Sequence, residues 1–131
     1  MEFYQSTENH SAELKNLSPN QLSHVQRGLW AENIVEKFLV QKKWHIISKR
    51  KKYKFGEIDL VVKREDRVTL IEVKYLHNEW MSFERIHRKQ IDRLKRNYIF
   101  LTNGEFKNYK TQLMAGFVSH SKTIKWVNLV S

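Results

Sequence analysis

The stretch FGEIDLVVKREDRVTLIEVKYL, from Phe55 to Leu76, reads as two buried strands but carries three acids and a lysine inside them. GEIDLVVKR and RVTLIEVKYL, joined by the charged turn REDR, predict an antiparallel hairpin. Side chains alternate across a strand. That rule puts Glu57, Asp59 and Val61 on one face of the first strand and Ile58, Leu60 and Val62 on the other. On the second strand Glu72 and Lys74 share a face opposite Ile71, Val73 and Tyr75. Pairing then lets Asp59, Glu72 and Lys74 converge. Two neighbouring carboxylates repel unless a cation lies between them, and hard divalent ions prefer such oxygens. A lysine beside them can steer water or stabilise charge growing on a phosphate. A half-exposed edge strand with a solvated polar face produces the same alternation, so spacing alone leaves both readings open.

The rest of the chain narrows the choice. Its 131 residues make one domain with one core, and 40% hydrophobic residues with a single proline argue against global disorder. With no cysteine, disulfides, thiolate zinc sites and a cysteine nucleophile are excluded, so any metal must be held by carboxylate, histidine or backbone oxygen. The formal charge is +10, and residues 1–22 contribute −2 through Glu2, Glu8, Glu13 and Lys15, leaving +12 on the body. A domain that basic points to nucleic-acid phosphates or an anionic membrane surface. No apolar run is long enough to span a bilayer and the N-terminus has no signal-peptide pattern, so the cytoplasm is the expected location and no membrane partner is expected.

Residues 1–18 are polar and predict an arm, with the domain proper over 19–131. Ser18 and Pro19 signal a helix start, with helical spacing to about Lys42. WHIISKR predicts a first strand before the hairpin, Ser82 to Leu101 a second long helix, and TQLMAGFVSH and TIKWVNLVS two final strands. On the first helix Val25, Leu29, Glu32, Glu36, Leu39 and Val40 share a stripe, which places two glutamates where a core-facing helix wants apolar residues. Both also fit the stripe's margin, reaching solvent or Lys43. Gln90 is similarly out of place on the apolar face of the second helix, between Phe83 and Leu94. His87 lies on that face too and is expected to be a hydrogen-bonded residue at the edge of the core. His24, His45 and His120 have no mutual ligand spacing.

GEIDL, thirteen positions from Asp59 to Glu72, and then EVK resemble the PD-(D/E)XK nuclease core. More narrowly, RGLWAENIVEKFLVQKKWHII, GEIDLVV, LIEVKYL and RKQIDRLKRNYIFL in that order resemble the YraN-like family of small bacterial predicted endonucleases, itself similar to archaeal Holliday junction resolvases. The resemblance covers Arg27 to Leu101 well and the last two strands loosely. It implies a restriction-endonuclease-like α/β fold, a mixed five-stranded sheet flanked by helices. It also implies that Asp59 and Glu72, aided by Glu32 from GLWAE, bind one or two Mg²⁺ or Mn²⁺ ions and that Lys74 is the catalytic lysine. Glu57 would be a supporting residue rather than a ligand, and the KQ of the second helix would lie near the nucleic-acid backbone. Three positions depart from the family: Ala31 stands for a usual glycine, Arg50 for an asparagine before GEIDL, and Leu76 for the arginine that often follows EVK.

KKWHIISKRKKYK, Lys42 to Lys54, holds seven lysines and arginines and no acid. Lys49, Arg50, Lys51, Lys52 and Lys54 from this segment, and Arg88, Lys89, Gln90 and Arg93 from the second helix, are the expected nucleic-acid contacts, with Trp44, His45 and Tyr53 available to stack on unpaired bases. The expected activity is metal-dependent hydrolysis of DNA phosphodiester bonds in repair or recombination, with branched or junction DNA, a single strand, a flap and a duplex end all open as substrates and RNA as an alternative. A homodimer would suit junction resolution, which needs two active sites. Two rivals remain: a non-catalytic nucleic-acid-binding module with the same fold, and a scaffold for an acidic protein partner.

Overall fold

The computed structural model describes residues 18–76 and 88–130. Ser18 heads only a single 3-10 turn, Pro19–Gln21, because Leu22 turns extended and interrupts the expected helix. The long helix, α1, is His24–Gln41, and Ser23 caps it: the Ser23 hydroxyl accepts from the Gln26 amide while the Gln26 side chain accepts from the Ser23 amide. At its other end the amide of Trp44 donates to the Leu39 carbonyl and that of Lys43 to the Val40 carbonyl, with Lys43 left-handed at φ 70°. That closure turns the chain into β1 (His45–Tyr53), followed by β2 (Gly56–Arg64) and β3 (Arg67–Tyr75). Helix α2 is described from Arg88 to Thr102 and leads into β4 (Lys110–Val118) and β5 (Ile124–Asn128).

The strands lie in chain order, β1-β2-β3-β4-β5, and every pair is antiparallel except β3 with β4. That parallel pair is what the intervening α2 makes possible, since parallel neighbours need a crossover connection. The fold is thus a mixed α/β domain with a five-stranded sheet between two helices, consistent with the restriction-endonuclease-like architecture expected from sequence.

Each face of the sheet buries one helix. Ala31, Val35 and Leu39 of α1 pack on Leu60 and Val62 of β2 and on Ile71, Val73 and Tyr75 of β3. On the other face Leu94 and Leu101 of α2 pack on Ile58, Val61, Val68, Leu70 and Leu113. The expected stripe on α1 was therefore rotated: Val25 and Val40 are 69% and 49% exposed, and Ala31 and Val35 are fully buried in their place. Sequence periodicity favoured the larger valines over the small Ala31, but close approach of helix to sheet favours the small side chain. Phe83, Ile86 and His87, along with Trp80, Met81 and most of the polar arm, lie outside the described residues.

One buried polar residue fastens α2 to the hairpin. Asn97, fully buried between Leu94 and Leu101, accepts from the Phe55 amide at 2.8 Å and donates to the Gly56 carbonyl at 3.1 Å. It thereby satisfies both backbone groups of the β1–β2 turn, where Gly56 has φ 117°, a conformation that glycine alone adopts readily. Asn97→Ala leaves both groups without that partner and is expected to lower stability by roughly 2–4 kcal/mol. Chemical denaturation measures this, and a loss below about 0.5 kcal/mol would contradict the clamp.

Candidate functional site

The alternation expected along β2 fails at one residue. Leu60 and Val62 face α1 and Val61 faces α2 as expected, but Ile58 packs on the α2 side with Val61 rather than with Leu60. Backbone pairing between β2 and β3 runs from Arg64–Arg67 to Leu60–Ile71 and stops there. The next residue, Asp59, uses its side chain instead: its Oδ2 accepts from the Val73 amide at 2.8 Å. The carboxylate takes over a ladder position, so the strands diverge without leaving that donor unsatisfied. On the other side of β2, pairing with β1 also skips Asp59, opposite which Arg50 sits left-handed at φ 46°. Asparagine is among the residues that tolerate this conformation better than arginine does.

The break brings acids together. Glu72, 4% exposed, lies on the α2 face of β3, where Gln90 of α2 donates to its Oε1 at 2.8 Å and the Lys74 ammonium stands 3.5 Å from the same oxygen. Asp59 and Glu72 are within hydrogen-bonding reach of one another. Burial pushes the Glu72 carboxyl up to about 8, with the negative charge of Asp59 the next largest cause, and Lys74 and Arg93 offset only part of this. Burial also raises Asp59, against the lowering effect of the Val73 amide and of Lys74. From α1, Glu32 is pushed up to about 7, first by burial and then by Asp59, although the Arg50 Nε lies 3.5 Å from its Oε1. Asp59 is thus the electrostatic link between a carboxyl on each helix-facing side.

Among the described residues no three carboxylates or histidines stand together as a ready metal cage. Asp59 and Glu72 form a close pair, while Glu32 reaches the cluster through its field and is engaged by Arg50. The pair nonetheless suits a hard divalent ion, because Mg²⁺ keeps several waters and needs only one or two carboxylates. Glu36, 7% exposed, pairs with Lys49 at 3.3 Å rather than with Lys43. Glu57 is exposed, and its carbonyl accepts from Arg93 at 2.9 Å.

The basic residues divide into two groups. Lys49 and Arg50 are engaged by glutamates of α1 and Lys51 lies over the Tyr53 ring, while Lys52 is exposed beside Glu57 in register. Lys54, Lys89 and Arg93 gather instead where the β1–β2 turn meets α2, and Arg88 is exposed at the start of that helix. Of the expected stacking residues, Trp44 has Arg64 over its ring, Tyr53 has Lys51 over its ring and its hydroxyl bonded with Ser48, and His45 is exposed. Sequence reading missed Asn97, although a polar residue in the 94–97–101 stripe gave the same signal as Gln90.

A carboxyl whose folded pKa lies above its unfolded value stabilises the fold below the unfolded value, and that contribution is lost as pH rises through the folded one. For Glu72 the window runs from 4.5 to about 8. Glu72→Gln keeps an acceptor for Gln90 and removes the titration. Without added metal, the variant is expected to gain thermal stability relative to wild type between pH 5 and pH 8.5, because only the wild type loses the Glu72 contribution across that range. Equal differences at both pH values would contradict it.

A family model described as "Uncharacterised protein family UPF0102" matches residues 31–115, from α1 into β4, and so spans Glu32, Asp59, Glu72, Lys74, Gln90 and Arg93. The UPF0102 protein of Campylobacter jejuni (strain 81-176) is 30% identical over 89 residues, 66% of this chain and 80% of the relative. That of Campylobacter fetus is 27% identical over 106 residues, covering 79% and 92%. A UPF0102 protein of Prochlorococcus marinus (strain MIT 9313) is 40% identical over a shorter stretch of 47 residues, 36% of this chain and 37% of the relative. On the extent of these matches, the chain belongs to the UPF0102 family, the YraN-like family.

Proposed function

We propose that the chain is a metal-dependent endodeoxyribonuclease, hydrolysing phosphodiester bonds by in-line attack of water on phosphorus. The observation that carries this reading is the buried Asp59–Glu72 pair beside Lys74, at the point where β2 leaves β3. Burying two carboxyls in mutual contact costs stability unless the charge is fully compensated. Function is the commoner reason for such a cluster.

In this reading Asp59 and Glu72, aided by Glu32, would hold one or two Mg²⁺ or Mn²⁺ ions. Such a site would supply polarisation of a phosphoryl oxygen and a stronger water nucleophile near neutral pH. Lys74, 31% exposed at its side chain, both faces the pair and reaches solvent, so its ammonium can orient the attacking water or bind a non-bridging phosphate oxygen. Gln90 holds the Glu72 carboxyl in one orientation from α2. Lys54, Lys89 and Arg93 lie on the α2 side of this cluster, where a bound strand's phosphates would meet positive charge on the way to it. Cleavage of a junction on both strands would require two copies of the chain.

A non-catalytic DNA-binding module is the second reading, favoured by the ion pair that holds Glu32 to Arg50. Labelled single-strand, duplex, flap and four-way-junction DNA, incubated with Mg²⁺, Mn²⁺ or EDTA, separates the two. The nuclease reading expects metal-dependent products that Asp59→Ala reduces at least about a hundredfold with little change in DNA affinity. Unchanged cleavage by the variant would sink the assignment of Asp59, and binding without cleavage of any substrate would favour the module.

A further inference from the structure

Where the β1–β2 turn meets α2, an open cleft of about 310 Å³ is lined by Phe55, Lys89, Asp92, Arg93 and Arg96. Three cations and one acid leave it positive, and an aromatic ring forms part of its wall. The ring is held in place: Phe55 meets Phe100 edge-on with centroids 6.2 Å apart, and its backbone amide is fixed by Asn97. Lys54 lies 4.6 Å from the Phe100 centroid and 5.7 Å from that of Phe55, so a further cation borders the same aromatic pair. Arg93 joins the cleft to the acidic cluster, since its side chain lines the cleft and its charge acts on Glu72. Gly56 leaves room for it: a Cβ there would stand 2.5 Å from the Arg93 Nη1.

We infer that this cleft binds one unpaired nucleotide of a DNA strand, the base stacked on Phe55 and the adjoining phosphate held by Arg96 and Lys89. A free phosphate or an acidic peptide would use the cations but has no need of the ring. Duplex DNA keeps its base faces stacked inside the helix and offers only edges, so it cannot use the ring either. An unpaired nucleotide uses both, because its base has an exposed π-face and its phosphate a negative charge. The inference deepens the nuclease reading and rests on it for the direction of the strand: Arg93 leads from the cleft toward Glu72. The substrate class it names is DNA with a single-stranded segment, such as a flap, a gap or the unpaired arm of a branched structure.

The test is fluorescence anisotropy with the full chain in EDTA, using a labelled single-stranded oligonucleotide and its matched duplex over a salt series. It reads binding without cleavage, so it stands or falls separately from the Asp59 experiment. Phe55→Ala and Phe55→Leu, the latter keeping apolar bulk in case truncation loosens the turn, are both expected to weaken single-strand binding roughly 5- to 150-fold. Duplex affinity should stay within about twofold, since no base of a duplex reaches the ring. Arg96→Gln is expected to reduce the slope of log affinity against log salt by about 0.7 on the single strand. Unchanged single-strand binding by the folded Leu variant, or equal losses on single strand and duplex, would overturn the stacking role. An unchanged salt slope would overturn the phosphate contact.

Discussion

The hydrogen bond from the Val73 amide to the Asp59 carboxylate is the constraint on which the rest of the site depends. A strand leaving its neighbour in mid-sheet exposes backbone donors, and the fold avoids that cost by letting a side chain act as acceptor. Once Asp59 does so, Ile58 can turn to the α2 face, and Asp59 itself is held next to Glu72. β2 itself begins at the Gly56 turn, which Asn97 clamps and Arg93 crosses. Arg93 thus couples the acidic cluster to the basic cleft beside it.

Electrostatics gives that coupling its direction. The body of the chain carries +12, yet among the described residues the most perturbed carboxyls, Glu32, Asp59 and Glu72, all lie at the break, and burial is the leading cause for each. Lysines and arginines are close by, but none relieves the cluster fully: Lys74 is 3.5 Å from Glu72, and Glu72 still sits near 8. A divalent cation would supply the missing charge, and a polyanion drawn to the surrounding cations would bring a phosphate alongside it.

Much of this was legible in the residues. Alternation gave the hairpin, the family resemblance implied the mixed sheet, and the acids inside buried strands singled out Asp59, Glu72 and Lys74. What was not legible is tertiary. A period of two assumes an unbroken strand, so it placed Ile58 with Leu60 and did not foresee the divergence at Asp59. The pairing of Glu32 with Arg50 and of Glu36 with Lys49 joins residues on different elements, which no local spacing encodes. Trp44 and Tyr53 stand among the lysines of the basic segment, whereas Phe55, two residues beyond Tyr53, lines the cleft.

The most direct test of the account is calorimetric titration of the metal-free chain with Mn²⁺ at pH 7, in buffers of different ionisation enthalpy, with Asp59→Ala alongside. Burial pushes Glu72 up to about 8, so this carboxyl is mostly protonated at that pH, and a cation binding there must displace its proton. The account predicts saturable binding with measurable proton release, lost in the variant. Binding that is absent, or that persists unchanged without the Asp59 carboxylate, would contradict it.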